Sequence, residues 1–415
     1  MALFFQEWSS QLKTYNQNIK LAIWANIFSQ IGMGMFMVMY NIYIQELGLS
    51  HEVNGQVIAL TALATAIILV PAGIMSDKLG RKRVMIFGVL LTGLILFFRS
   101  IVEAQTLLLL TGFATGIFTA FLQVSSIPWL AENSNPKQRV HLFSLHSAIM
   151  TAANVIGSLL GGTLTDFFTL FTTELSSIRI TLIIGSIFYI LAFFPILKMV
   201  EKQKQKWDKT EKIPFKEFFR SNKTGFKIII LFAISQLLIG FGSGLVIPYL
   251  NLYFADRFAA SNSVIGLIIS LGQAATAVAM FIGPLVVKKV GEVRAVVYLQ
   301  LASLPFLLLT AYTENLLLAS LGFLFRQALM NAGNPIQASL MMSKVDDSVK
   351  GLANSINQMV FQLGWALMGP VSTSIVMMYG SYWGYAHVFS ITAGLYLVGS
   401  LYFFIVFRRL KSTDD

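Results

Sequence analysis

The sequence contains no cysteine and few charged residues, and both absences narrow the possible classes of protein. Without cysteine the chain has no disulfide, no thiolate nucleophile and no cysteine-ligated metal site. Charged residues make up 12% of the 415 residues, whereas soluble domains contain about 25%. Hydrophobic residues make up 56%. This composition argues against a soluble enzyme and predicts an integral membrane protein.

Motifs that carry catalysis are also missing from the sequence. It has no nucleophile elbow, no P-loop for ATP, and four histidines that show no metal-binding spacing. We therefore predict a protein that is not an enzyme, has no cofactor and binds no metal. An ATP-driven pump is disfavoured for the same reason.

Twelve long apolar segments divide the chain. A membrane-spanning helix needs about 20 mostly apolar residues. On that basis the predicted spans are 20–44, 54–76, 83–102, 106–130, 140–163, 178–199, 226–252, 263–288, 293–312, 316–341, 350–378 and 383–407. A highly charged stretch separates the sixth span from the seventh and is too polar to enter lipid. The predicted domains are a six-helix bundle over 1–199, a cytoplasmic linker over 200–225 and a second bundle over 226–415.

Lysine and arginine are concentrated in alternate loops. If the N-terminus is cytoplasmic, 26 of the 30 Lys and Arg residues fall in cytoplasmic segments. Arg99, Arg179 and Arg257 fall near the outer face, and Arg326 falls within a span. Because cytoplasmic loops are enriched in Lys and Arg, both termini are predicted to be cytoplasmic. The net charge of +11 is then a signal for membrane orientation, and nucleic acid is not an expected partner.

The loop between the second and third spans carries two glycines, one acid and four bases. Gly73 and Gly80 are expected to form a two-glycine turn around Asp77, because glycine permits tight backbone reversals. Together with Arg81, these residues resemble the signature loop of the major facilitator superfamily, G-x-x-x-D-r-x-G-r-k. The resemblance implies that Asp77 is a gating residue, which meets the N-terminus of span 11 when the cytoplasmic side is closed.

The two halves of the sequence repeat each other. Gly157 in span 5 and Gly364 in span 11 are 207 residues apart, and so are Gly162 and Gly369. Superfamily transporters are built from two such parallel repeats, with the binding site at their interface. The resemblance therefore covers nearly the whole chain.

Span 5 carries a second group of glycines. Gly157, Gly161 and Gly162 resemble the antiporter motif of drug/proton exporters, g-x-x-x-G-P-x-x-G-G-x-l, with Ser158 in place of the proline. The resemblance implies that these glycines take part in gating and that the protein exports its substrate. The alternative is ordinary close packing, because small residues let membrane helices approach one another.

Polar residues inside spans are expected to mark the substrate path. Arg326 lies about eleven residues into span 10, near the middle of the bilayer, where an unpaired guanidinium is costly. No Asp or Glu lies near the middle of a predicted span, so the cavity is expected to be neutral to positive. A structural role is the alternative for Arg326. The candidate substrate-binding residues are Asn26, Gln30, Gln123, Asn154, Gln236, Arg326, Asn331, Asn334, Asn357, Gln358 and Trp365.

Proton coupling has few candidate carriers in this sequence. His146 titrates in the physiological range and lies about two turns inside span 5. Asp77 is the second candidate. A packed, neutral histidine with no role in coupling is the alternative reading of His146.

These features together predict an all-helical membrane transporter with twelve transmembrane helices in two pseudo-symmetric six-helix bundles. We expect a monomer in the cell membrane of a bacterium, with a small-molecule substrate, the lipid bilayer and protons as its partners. Proton-coupled export of a drug-like or amphipathic compound by alternating access is the first hypothesis. The alternatives are a dedicated carrier of a polar or anionic metabolite, such as a sugar, amino acid, peptide or organic anion, and a lipid or glycolipid flippase.

Overall fold

The computed structural model describes residues 15–201, 223–345 and 350–408, and every regular element in these ranges is helical. The first range contains helices α1 Gln17–Glu46, α2 His51–Leu79, α3 Arg81–Arg99, α4 Gln105–Glu132, α5 Pro136–Thr169, α6 Glu174–Leu191 and α7 Phe193–Lys198. The remaining ranges contain α8 Lys223–Val246, a 3₁₀ turn Ile247–Tyr249, α9 Leu250–Phe258, α10 Asn262–Val290, α11 Glu292–Tyr312, α12 Leu316–Ala332, α13 Asn334–Lys344 and α14 Lys350–Phe407.

Ten of the described helical segments are long and apolar enough to cross a membrane. Helix α3 is not one of the ten, and its 19 residues include three bases in the first turn and Arg99 in the last. Helix α14 has 58 residues but is interrupted at Gly380, where φ is +75° and ψ is 177°. An unbroken helix of that length would extend about 87 Å, far more than the hydrocarbon core of about 30 Å. Helix α14 therefore consists of two helical segments joined at Gly380.

Prolines explain where the helices depart from the predicted spans. Span 10 was expected to be continuous, but α12 ends at Ala332 and α13 begins at Asn334, with Pro335 in its first turn. Pro248 lies in the 3₁₀ turn that follows α8, and the chain then continues as α9 to Phe258. Proline has no backbone N–H and its ring crowds the preceding turn, so a helix is broken or kinked at such positions.

The chain forms two compact units. Unit 1 comprises Met1–Glu201 and Phe254–Ala274, and unit 2 comprises Lys202–Tyr253 and Ala275–Asp415. Helix α10 consequently begins in unit 1 and ends in unit 2. Residues 254–274, which the sequence assigns to the second bundle, pack with the first unit.

Glycines allow the helices of unit 1 to approach closely. A Cβ atom built on Gly34 of α1 would lie 2.6 Å from the carbonyl oxygen of Asn154 in α5. Gly157 of α5 faces the backbone of Ile31 in α1 in the same way. In unit 2, a Cβ atom built on Gly364 of α14 would lie 2.5 Å from the backbone carbon of Gly240 in α8, and the rings of Phe232 and Phe407 pack 4.1 Å apart. Both units therefore contain helix pairs that approach closely at glycines.

Candidate functional site

Unit 2 encloses a cavity of about 360 Å³. Its lining comes from α8, the 3₁₀ turn that follows it, α12, α13 and both segments of α14. Seven of the eleven predicted substrate-binding residues line it: Gln236, Arg326, Asn331, Asn334, Asn357, Gln358 and Trp365. The structure therefore brings together the polar residues predicted in spans 7, 10 and 11.

Among the described residues that line this cavity, Arg326 is the only one that carries a charge. Its side chain is only 2% exposed. Nη1 donates to Oε1 of Gln327 at 2.8 Å, and Nη2 donates to the hydroxyl of Tyr396 at 2.6 Å. The ion pairs found in the described part of the chain do not include Arg326. The cation is held by two uncharged acceptors.

An aromatic wall and an amide wall complete the cavity. The rings of Phe361 and Trp365 lie 5.9 Å apart, and the Trp365 indole N–H donates to Oγ of Ser243 at 2.8 Å. On the amide side, Nδ2 of Asn334 donates to Oδ1 of Asn331 at 3.1 Å. Such a mixture of apolar surface and a few polar groups is typical of small-molecule sites.

A second polar cluster lies in unit 1, between α1, α4 and α5. Nδ2 of Asn26 is 3.1 Å from Nε2 of His146, and Oγ of Ser126 donates to Oδ1 of Asn26 at 3.3 Å. With the Asn26 amide in this orientation, Nδ2 donates and Nε2 of His146 accepts, which requires a neutral ring with its proton on Nδ1. Nearby, Nδ2 of Asn154 donates to Oε1 of Gln30 at 3.2 Å.

Three of the four predicted unit 1 residues therefore make buried or half-buried polar contacts. Gln123, the fourth predicted residue, is exposed on α4 and is not among the side chains that contact Asn26. Its neighbour three positions along, Ser126, takes that place. Ser126 was not predicted, because serine in an apolar helix carries no distinguishing signal.

The signature segment is almost entirely helical, and the predicted two-glycine turn is wrong. Gly73 lies within α2, which continues to Leu79, so Asp77 is in its last turn. The chain reverses at Gly80 alone, with φ at +96°. The helix continues through Asp77 and Lys78, so the change from apolar to polar residues in the sequence does not mark its end.

Arg81 joins two carboxylates at this end of unit 1. Its Nη2 is 2.9 Å from Oδ1 of Asp77, and its Nε is 2.7 Å from Oε1 of Glu132 in α4. The Arg81 side chain is 12% exposed, whereas the two acids are about half exposed. Glu201 also lies here, since its Oε1 accepts from the backbone N–H of Lys82 at 3.4 Å. The contact predicted between Asp77 and span 11 would join the two units and stays a prediction.

The three glycines of the second motif all lie at close helix contacts. Gly157 faces the backbone of Ile31, and a Cβ on Gly161 would lie 3.2 Å from Cα of Met35. Gly162 faces the backbone of Asn262 at the start of α10. This geometry accounts for the glycines by packing, and their role in gating stays a prediction.

These sites lie in a chain that matches a known family over nearly its whole length. A family model described as Major Facilitator Superfamily matches residues 22–236 and 232–415. The chain belongs to the major facilitator superfamily. The superfamily membership predicted from the signature loop is thereby confirmed, and the protein is a multi-pass membrane transporter by family.

Relatives within this superfamily include bacterial drug exporters. The chain is 26% identical over 413 residues to the multi-drug resistance efflux pump PmrA of Streptococcus pneumoniae, covering 97% of this chain and 98% of the relative. It is 26% identical over 369 residues to multidrug resistance protein 1 of Bacillus subtilis, covering 86% and 89%. The quinolone resistance protein NorA of Staphylococcus aureus is 25% identical over 242 residues, covering 58% and 60%. The predicted resemblance to drug exporters is confirmed as a similarity in sequence.

Solved superfamily structures show the same fold. A bacterial homologue of the human lysosomal transporter Spinster, in an inward-facing and unoccupied conformation, has a TM-score of 0.77 at 15% identity and covers 96% of each chain. The nucleoside transporter NupG has a TM-score of 0.73 at 18% identity, covering 95% of this chain and all of the other. At these identities the likeness shows the fold alone.

Proposed function

We propose that this superfamily member is a secondary transporter that exports drug-like or amphipathic small molecules by proton-coupled alternating access. The observation that carries the proposal is the match to PmrA, an efflux pump, along 97% of this chain and 98% of the relative. The cavity of unit 2, with its aromatic and amide walls, supports it, because a mixed lining suits amphipathic ligands.

Twelve membrane crossings are the proposed topology. Gly380 divides α14 into two segments of spanning length, and α3 is a 19-residue helix that follows α2 after one residue. Dividing α14 into two and adding α3 raises the number of spanning segments from ten to twelve. An even number of crossings places both termini on one side, and the distribution of Lys and Arg makes that side the cytoplasm. We further propose a monomer in the cell membrane of a bacterium.

The substrate-binding residues are proposed to be those that line the unit 2 cavity. Asn26, Gln30 and Asn154 of unit 1 are proposed as further substrate-binding residues. Alternating access requires two conformations with similar free energies, so that a substrate can shift the balance between them. The proposed gate is the cluster of Asp77, Arg81 and Glu132, since partly exposed ion pairs contribute little and exchange partners readily.

His146 is the proposed carrier of the coupled proton, and Asp77 is the second candidate. Protonation of His146 would turn Nε2 into a donor, which cannot accept from Nδ2 of Asn26. The amide would then have to rotate and lose its present bond with Ser126. A proton at this ring is thereby linked to the contact between α1, α4 and α5.

Everted membrane vesicles test this function directly. With an inwardly acidic proton gradient, vesicles that contain the protein should accumulate a lipophilic fluorescent dye, and a protonophore should abolish the accumulation. His146→Gln should abolish the dependence of dye accumulation on the proton gradient. Vesicles without the protein serve as the control. Dye accumulation that equals the control, or that persists after the gradient is collapsed, would rule out proton-coupled export.

A further inference from the structure

We propose that the unit 2 cavity selects amphipathic organic carboxylates, with the carboxylate bound by Arg326 and the aromatic body placed against Phe361 and Trp365. This inference rests on the proposed function, because it names the class of compound that the same cavity takes. The proposed substrates differ in charge from lipophilic cations, which a cavity with acidic residues would attract.

The first argument is the sign of the charge. Arg326 is 98% buried, and none of the described residues around the cavity is Asp or Glu. A buried cation in a membrane helix is costly unless it has a partner, an aqueous cavity or an anion. A bound carboxylate would supply the missing negative charge, whereas a cationic ligand would add a second positive charge in a medium of low dielectric constant.

The second argument is the number of hydrogen-bond donors. Arg326 has five N–H donors, and the structure shows two hydrogen bonds from them, both to uncharged acceptors. Its Nε is buried without a partner, and so is Nε2 of Gln337 on α13. A ligand that brings two adjacent oxygens would satisfy such a fork far better than a single carbonyl. Among the described residues of the cavity lining, two buried donors thus lack a partner, against one buried acceptor, Oδ1 of Asn357.

The third argument is that the guanidinium group of Arg326 is held in one position by its neighbours. Tyr396 and Gln327 bind opposite ends of the guanidinium, and the guanidinium carbon lies 5.3 Å from the centre of the Tyr396 ring. Elsewhere in the cavity lining, the hydrogen bond from Trp365 to Ser243 fixes the indole ring. A polar anchor and an apolar wall with little freedom favour a ligand whose carboxylate is attached directly to a flat ring.

The volume limits the size of that ligand. About 360 Å³ lies near the lower end of the range for small-molecule sites, which is about 300–1,000 Å³. We therefore choose a two-ring aromatic acid as the probe. The compounds 2-naphthoate, 2-naphthamide and 2-naphthylmethylammonium share one ring system and are negative, neutral and positive at pH 7.

Isothermal titration of the purified full chain in detergent measures the preference. The Kd of 2-naphthoate should be at least about tenfold lower than that of either other compound, a difference of about 1.4 kcal/mol. Arg326→Gln should abolish the preference between naphthoate and naphthamide. Arg326→Lys should keep part of it, because the charge stays while the two-pronged geometry is lost.

A matched pair of tyrosine variants separates the site from general effects on α14. Tyr396→Phe removes the hydroxyl that holds Arg326 and should weaken naphthoate binding several-fold. Tyr402→Phe makes the same change on the same helix, where the hydroxyl donates to the backbone oxygen of Leu231 outside the cavity, and should leave binding unchanged. Equal effects of the two variants would overturn the assignment.

Two further outcomes overturn the inference. One is naphthamide or the ammonium compound binding the wild-type protein as tightly as naphthoate. The other is no binding of naphthoate at millimolar concentration. Both comparisons use the wild-type protein, so they stand even where an Arg326 variant fails to fold. If vesicles accumulate dye but the protein does not bind naphthoate, only the carboxylate inference is rejected. If the protein binds naphthoate but shows no gradient-driven transport, only the proposed function is rejected.

Discussion

The two glycines of the signature segment should respond in opposite ways to alanine. Gly80 has φ at +96°, a conformation that side-chain-bearing residues rarely adopt. A Cβ there would also lie 2.8 Å from both carboxylate oxygens of Glu201. Gly73 lies inside α2, with nothing within 4 Å of an added Cβ. The sequence motif treats these positions alike, whereas the structure does not.

The magnitude of each effect follows from these surroundings. At Gly80, φ of +96° is combined with an extended ψ of 140°, a conformation that costs a residue with a Cβ about 1–3 kcal/mol. Displacing Glu201 from the start of α3 loses a further ~0.3–1 kcal/mol, the usual value of an acid at a helix N-terminus. Gly80→Ala should therefore lower the free energy of unfolding by about 1.3–4 kcal/mol. Gly73→Ala should raise it by ~0.5–1 kcal/mol, because alanine loses less backbone entropy in a helix.

Equilibrium unfolding in SDS, followed by tryptophan fluorescence, measures both variants against the wild type. Gly48→Ala is the control for the backbone term, since Gly48 has φ at +75° and open space around its Cβ position. It should lose about 1–2 kcal/mol. In a Glu201→Ala background, the effect of Gly80→Ala should fall to its backbone cost alone, about 1–3 kcal/mol. Equal losses for Gly73→Ala and Gly80→Ala would refute this account of the segment.

Two other predictions concern packing and charge. Gly266→Ala should lower the free energy of unfolding by about 1–3 kcal/mol, because its Cβ would lie 2.7 Å from the backbone oxygen of Ser158. Gly394→Ala has open space around the Cβ and is the matched control, expected to be neutral or slightly stabilising in the same SDS titration. Glu132→Gln should lower the unfolding free energy by less than about 1 kcal/mol, because the bond from Arg81 ends on a carboxylate that is 44% exposed. That loss should shrink further at high salt, and a loss above 2 kcal/mol would contradict a weak, exchangeable pair.

Helix positions could be predicted to within a few residues, but interruptions could not. The span expected at 293–312 corresponds to α11, Glu292–Tyr312. The break at Gly333, beside Pro335, and the turn at Pro248 were missed, since each lies within a segment whose average hydropathy is that of one continuous span. Apolar length reports the thickness of the lipid, whereas a break depends on the local hydrogen bonds of the backbone.

Most of the polar residues of the candidate site could be predicted from the sequence, but the tyrosine that binds its arginine could not. Arg326 and the amides of spans 10 and 11 were identified because polar residues in membrane spans are rare and costly. Tyr396 was missed, although its hydroxyl binds Arg326. A tyrosine in an apolar helix gives no sign that a distant arginine points toward it, since the two residues are 70 positions apart. Gln123 was included by the same rule and lies exposed on α4.

The sequence by itself determined that this is a membrane protein of the major facilitator superfamily. Hydropathy, basic loops and the signature segment are local properties, so they can be read without knowing which helices touch. Only the tertiary structure decided which polar side chains share one cavity, that Arg326 is held by Tyr396 and Gln327 without a carboxylate, and that Gly80 alone makes the turn after Asp77. Those outcomes depend on how each helix is rotated and packed against its neighbours. Residues far apart in the chain set that rotation together.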